Sequence, residues 1–266
     1  MNGAQSTTPS GFAATFVSEW RKMRALRSTP IGIALIVLVS VGVGGFMTVI
    51  GDSSAIADAQ AESEYSVIFY SSGLVTWAYA YLAASFVAAE FQGLGESTFV
   101  ATARRGRVLA AKLVLVAAGG LIVGLLASVM TVAATQGVLA LRGSGSLDLA
   151  DPGLGRAIAL LVAVSMAVQG LLAAGFAVLV RSAVAAVVVT GLISLLPVSL
   201  APFLGDGYAA SVPRWLPGAA VESLAGVAAP GSHGYLDWPL ALACVTAWVA
   251  AVGTAAALRL PRMDIR

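Results

Sequence analysis

Charged residues are scarce in this sequence. They make up 11% of its 266 residues, and hydrophobic residues make up 59%, whereas a soluble domain carries about 25% charged residues. So little charge leaves too few polar groups to clothe a water-soluble globule, and the chain reads as a membrane protein. Histidine occurs once, at His233, which excludes H-E-x-x-H zinc sites and multi-histidine metal centres. Lysine occurs only at Lys22, after Arg21, and at Lys112, after Ala111. A phosphate-binding P-loop needs Gly-Lys followed by Ser or Thr, because the lysine reaches the phosphates from the glycine turn; neither lysine qualifies. No G-x-S-x-G is present, and Gly231-Ser232-His233-Gly234 reads as a loop cluster. The single cysteine, Cys244, has no intrachain disulfide partner and reads as a small buried apolar residue. Catalysis within this chain is therefore not expected.

What is present in quantity is uncharged apolar sequence. Six runs contain no Asp, Glu, Lys or Arg: 31–50, 67–89, 113–141, 157–180, 183–204 and 240–258. Each meets or approaches the roughly 20 residues that carry a helix across a bilayer core of about 30 Å. Barrel strands would alternate over about 10 residues, and these Ala-, Leu- and Val-rich runs do not. The expected fold is an all-α membrane protein with six transmembrane helices in one domain, residues 12–266, after a disordered tail, 1–11.

Orientation follows from the basic residues, which are retained on the cytoplasmic side. With both termini inside, Arg21, Lys22, Arg24, Arg27, Arg104, Arg105, Arg107, Lys112, Arg181, Arg259, Arg262 and Arg266 are cytoplasmic; Arg142, Arg156 and Arg214 are not. The inner face is then basic and suited to anionic lipid headgroups. A signal peptide ending at Ala55-Ile56-Ala57 is the competing reading of the first span. That span exceeds the roughly 7–15 apolar residues of a secretory signal, so retention is expected.

Before the first span, Phe12, Phe16, Trp20, Met23 and Leu26 recur at helical spacing and predict a helix lying on the inner leaflet until Pro30. Glu19 falls near that apolar face and counts against it. The third span, 29 residues or about 43 Å, must tilt or project. Its Gly120 and Gly124, and the stripe Ala243, Ala247, Ala251 and Ala255 of the sixth, mark places where helices can approach closely. Arg181-Ser182 alone joins spans four and five, which predicts a tight hairpin. The external segment 205–239 carries Tyr208, Trp215, Tyr235 and Trp238, suited to a membrane interface, with a short helix expected over 219–227 in the outer headgroup layer. Pro197 and Pro202 are expected to bend the end of the fifth span. This segment reads equally as an exit gate or as a passive cap.

Ion-driven carriers place ionisable groups within the bilayer, and the six runs hold none. Attention falls instead on 90–112, EFQGLGESTFVATARRGRVLAAK, the one long charged segment directly between two uncharged spans. Glycines at 93 and 95 permit a sharp exit from the membrane. A short surface helix can then show Phe91 and Phe99 to a partner groove before the basic turn Arg104-Arg105-Gly106-Arg107. An ordinary basic loop fits the same residues.

Ser18-Glu19-Trp20-Arg21-Lys22 and Leu26-Arg27-Ser28-Thr29-Pro30 before the first span, with Glu90-Phe91, Gly93, Thr98-Phe99 and 104–112 (RRGRVLAAK) after the second, resemble permeases of actinobacterial ABC-type-two exporters. The resemblance extends over nearly the whole chain, through the six spans and the long external segment. Glu96-Ser97 and Ala103 depart from it, where many relatives carry a basic residue and a proline. The resemblance implies an elbow helix over 12–29, including Phe12, Phe16, Trp20 and Met23. It implies a coupling segment over 90–107, in which Glu90, Phe91, Phe99, Arg104 and Arg105 meet a separate ABC ATPase. It further implies two ATPase copies, a second permease of the same or a different chain, and export of an amphiphilic drug, antibiotic or lipid. ATP and Mg would be held by the ATPase and no cofactor by this chain; the other partners would be membrane lipids, with no nucleic acid. An ATP-independent carrier and a non-transporting scaffold or immunity protein are the alternatives.

Overall fold

The computed structural model describes residues 11–59, 64–91, 105–195, 211–232 and 234–260, together with Leu200, Phe203 and Gly207. Among these the regular structure is helical, with no strand. Helix α1 spans Phe12–Ala25, α2 Ser28–Ile50, α3 Ser53–Ala57, α4 Ser72–Ala88 and α5 Arg105–Arg142. Helix α6 runs Pro152–Val180, followed by α7 Ala183–Ser194, α8 Pro217–Leu224 and α9 Trp238–Arg259. Five helices, α2, α4 with its 3₁₀ extension to Phe91, α5, α6 and α9, are long and apolar enough to cross a membrane. They mark a membrane protein. The expected fifth span is described as helix only over the 12 residues of α7, short of a crossing; most of its remainder, with Pro197 and Pro202, lies outside the described residues.

Local chemistry fixes most helix ends. Proline is tolerated in a first turn, where its missing N–H has no intrahelical partner to lose. Pro30 accordingly sits inside the first turn of α2, and the chain breaks at Leu26–Arg27 instead. Asp52 caps α3 by accepting from the N–H groups of Ser54 and Ala55. Asp151 caps α6 by accepting from Gly153 and Leu154. The α6–α7 hairpin turns on Arg181, held left-handed at φ 56°, and on Ser182, whose Oγ accepts from the Ala185 N–H at 3.3 Å.

Helix α5 has 38 residues, about 57 Å at 1.5 Å per residue, and so exceeds the expected span. Its described residues start at Arg105, which puts Arg105-Gly106-Arg107 within a helix, where a basic surface turn was expected. The second span also starts late, at Ser72, because a 3₁₀ turn at Glu64–Ser66 and further turns occupy the preceding residues.

Helix α6 contains a π-helical stretch, Ala157–Val164. Where α6 meets α5, a Cβ on Gly120 would lie 2.6 Å from Ala167 Cα, and one on Gly124 would lie 2.5 Å from Ala163 Cα. The G-x-x-x-G pair thus serves a contact within this chain. Tyr79 of α4 closes the same junction: its hydroxyl donates to the Val116 carbonyl at 2.5 Å. Added methyls at Gly119 or Gly170 would each come within 2.7 Å of the Tyr79 side chain. The alanine stripe of α9 behaves differently. Ala243, Ala247, Ala251 and Ala255 are exposed, and α9 packs inward through Ala241, Val245, Val252 and Ala256.

Helix α8 starts at Pro217, two residues before the expected start, and ends before Gly226 at φ 72°. It does not lie free at the surface. Ala220, Val221 and Leu224 are buried with Val168, Leu172, Ala241 and Val245, so α8 is part of the packed core. Trp215 meets α9 through its carbonyl, which accepts from the Trp248 indole at 2.8 Å and from the Cys244 thiol at 3.1 Å.

Candidate functional site, a buried ion cluster

The contacts define two ends of the bundle. At one end, Tyr65 donates to Asp151 at 2.6 Å, Arg142 donates to Ser53 at 2.9 Å, and the Gln136 amide bonds the Leu147 backbone in both directions. The opposite end gathers α1, the last turn of α4, the base of α5 and the end of α9. There Arg105 Nη1 donates to the Leu260 carbonyl at 3.5 Å.

Four charges converge at this second end. Lys112 Nζ lies 2.9 Å from Glu19 Oε2 and 3.1 Å from Glu90 Oε1; Lys22 Nζ lies 2.7 Å from Glu19 Oε1 and 3.2 Å from Glu90 Oε1. Two carboxylates therefore alternate with two ammonium groups. Glu19 and Lys112 are each 2% exposed and Glu90 is 7% exposed, so the cluster is a buried network and differs from a surface ion pair.

Burial of this kind is costly unless each charge is matched. Lys112 meets that demand with three acceptors for its three N–H groups: the two carboxylates and the Phe86 carbonyl at 3.2 Å. Its ammonium also sits 3.7 Å from the centre of the Phe86 ring, a favourable cation–π distance. Lys22, with a side chain 37% exposed, forms the outer edge. Burial pulls its pKa down, but hydrogen bonds and charge from Glu19 and Glu90 outweigh this and hold it above the usual lysine value. Glu90 Oε2 is buried and has no hydrogen-bond partner among the described residues.

The geometry ties three elements at one point. Helix α1 contributes Glu19 and Lys22 at i,i+3, the 3₁₀ turn Ala89–Phe91 contributes Glu90, and α5 contributes Lys112. Both edges of the segment 90–112 are therefore fastened to each other and to α1. A displacement of either edge cannot occur without moving α1 or breaking a buried ion pair.

Among the residues singled out from sequence, Glu90 stands at the centre of this cluster. Phe91 follows it, half-buried against the chain's own core. Arg105 reaches α9. Phe99 and Arg104 lie outside the described residues, as do most of the coupling segment and Tyr208. In α1, Phe16 and Met23 pack against the core, whereas Phe12, Trp20 and Leu26 are exposed. The residue that α1 buries most deeply is Glu19, which the apolar stripe had made an intruder.

Lys112 and Glu19 were not expected as site residues. One signal did point to Lys112: the acid Glu90 follows the second uncharged run and the base Lys112 precedes the third, at the two places where the chain leaves and re-enters apolar surroundings, whereas nothing of this kind marked Glu19.

Comparison with family models, with curated proteins and with solved structures found no match.

Proposed function

We propose that this chain is the membrane subunit of an ATP-binding cassette exporter. It lies in the bacterial cell membrane with both termini cytoplasmic and moves an amphiphilic substrate outward, driven by a separate ATPase. The observation that carries this reading is the buried cluster of Glu19, Lys22, Glu90 and Lys112. It joins α1 to both edges of the one long charged segment between two uncharged spans. An ATPase that pushed on this segment would transmit its motion into α4, α5 and α1 together, because breaking the network leaves unpaired charges in a buried setting. Further support comes from the distribution of charge: twelve of the fifteen basic residues fall on the side assigned to the cytoplasm, and Lys112, Lys22 and Arg105 are among them.

In this reading α1 is the elbow helix, 90–107 is the coupling segment, and Glu90, Phe91, Phe99, Arg104 and Arg105 form or support the ATPase contact. Two permease subunits, alike or different, join two ATPases. ATP and Mg belong to the ATPase. The test is reconstitution of the complex in lipid vesicles with Phe99→Ala and Arg105→Ala. ATPase association or substrate-stimulated hydrolysis is expected to fall; unchanged values for both variants would remove the coupling assignment.

A further inference from the structure

At the end of the bundle opposite the ion cluster, a cleft of about 110 Å³, partly open to the surroundings, lies between α4, α6, α7 and α8. Its lining holds one ionisable group among the described residues, the Glu222 carboxylate. Among the described residues no Lys or Arg lines it to compensate that charge. Glu222 is exposed at the rim of the cleft, and the protein around it pushes its carboxyl up.

The other polar groups on the wall can all accept hydrogen bonds. Thr76 is 5% exposed, and its hydroxyl has no hydrogen-bond partner among the described residues. A helical threonine ordinarily satisfies itself on a carbonyl of the preceding turn, so this buried, unpaired hydroxyl in the cleft wall keeps an acceptor and a donor unused. Gln169 Oε1 accepts from Ser194 Oγ at 3.1 Å, which fixes both side chains where α6 meets α7. The remaining wall is apolar, with Trp77, Leu161 and Leu195. Leu161 belongs to the π-helical stretch, a distortion frequent at functional sites. Helix α8 forms one wall of the cleft close against α7: a Cβ on Gly218 would collide with the Ser194 carbonyl.

From this we infer that the cleft is a binding site for a primary ammonium group carried on a compact apolar body. The charge selects a cation, because an ionised carboxylate without a partner in a half-dry cleft is relieved by one. The hydroxyls and amide oxygen select N–H donors, which a primary ammonium supplies and a quaternary one lacks. The indole face and the leucines take the apolar body. This inference deepens the exporter reading by naming a class of cargo, and it rests on that reading only for the direction of movement.

The test uses the full chain in lipid nanodiscs without any ATPase, titrated with 4-fluorobenzylammonium and observed by ¹⁹F NMR. Empty nanodiscs measure membrane partitioning. Saturable binding is expected for the wild type. Loss of a charge-assisted contact weakens binding by about tenfold or more in Glu222→Gln, and Thr76→Val weakens it less. The neutral 4-fluorobenzyl alcohol is expected to bind at least about tenfold more weakly than the amine. Absence of saturable binding by the wild type, equal affinity in Glu222→Gln, or equal affinity for the alcohol would each overturn the assignment. Glu222 is exposed, so its variant is expected to fold, and identical elution of both proteins checks this. Because no ATPase takes part, a protein that binds the amine but recruits no ATPase refutes the exporter reading alone.

Discussion

Lys112 of α5 and Glu19 of α1 face each other across 2.9 Å, each 2% exposed, and their pairing is the deepest contact between α1 and the bundle. Removing Lys112 leaves the two buried carboxylates, Glu19 and Glu90, to share Lys22 alone, and breaking a buried pair by removing one partner costs about 3–5 kcal/mol. Lys112→Met is therefore expected to destabilise the protein in detergent by that order. Combining it with Glu19→Gln should cost less than the sum of the two single changes. A double-mutant cycle read by thermal unfolding checks this, and strict additivity would place the two residues in separate environments.

Lys22 gives the cluster an alkaline dependence. Its folded pKa stands above the usual value because Glu19 and Glu90 outweigh the effect of burial. A raised lysine pKa stabilises fully below the unfolded pKa of about 10.4 and ceases to do so as pH rises through the folded value. The difference in melting temperature between wild type and Lys22→Met should thus be constant from about pH 8 to 10 and shrink above it. A difference that already shrinks below about pH 9 would point to another group.

At the other end of the bundle the sign reverses. The Tyr65 hydroxyl donates to Asp151 at 2.6 Å and, with the Gly153 N–H, holds that carboxyl below its usual pKa. Such a group stabilises above the unfolded pKa of about 3.9 and loses its effect as pH falls through the folded value. Tyr65→Phe removes the leading cause. Its stability deficit relative to wild type should be level from about pH 5 to 7 and narrow below about pH 4, as followed by acid titration of the melting temperature.

Gly120 and Gly137 lie on the same helix and separate close packing from composition. A Cβ at Gly120 meets the Ala167 backbone at 2.6 Å, whereas one at Gly137 meets nothing within 4 Å. Overpacking costs about 1–3 kcal/mol where neighbours can shift, and backbone shifts least. Gly120→Leu is expected to cost at least that, and Gly137→Leu close to nothing, in the same unfolding assay.

Helix existence was legible in the sequence because an uncharged run of about 20 residues has few other stable forms in lipid. The end of α5 was not, since Arg105 and Arg107 are good helix formers that a count of uncharged residues discards. Nor could composition decide between Gly120–Gly124 and the alanine stripe of α9. Both are small-residue stripes, and only the neighbouring helix determines which becomes a contact. Glu19 was misread for a related reason: helical periodicity locates a side chain on a face but says nothing of a lysine arriving from another helix. Glu222 was legible as an external acid, while its place in a cleft depends on α8 packing against α7.

The most direct measurement of the central claim is the composition of the complex that the tagged chain forms in its native membrane, isolated in mild detergent and resolved by mass spectrometry. A P-loop ATPase is expected in equimolar amount, lost or depleted when Lys112→Met loosens the cluster. Isolation of the intact wild-type chain with no ATPase, from membranes in which it is active, would rule out an ATPase-driven exporter subunit.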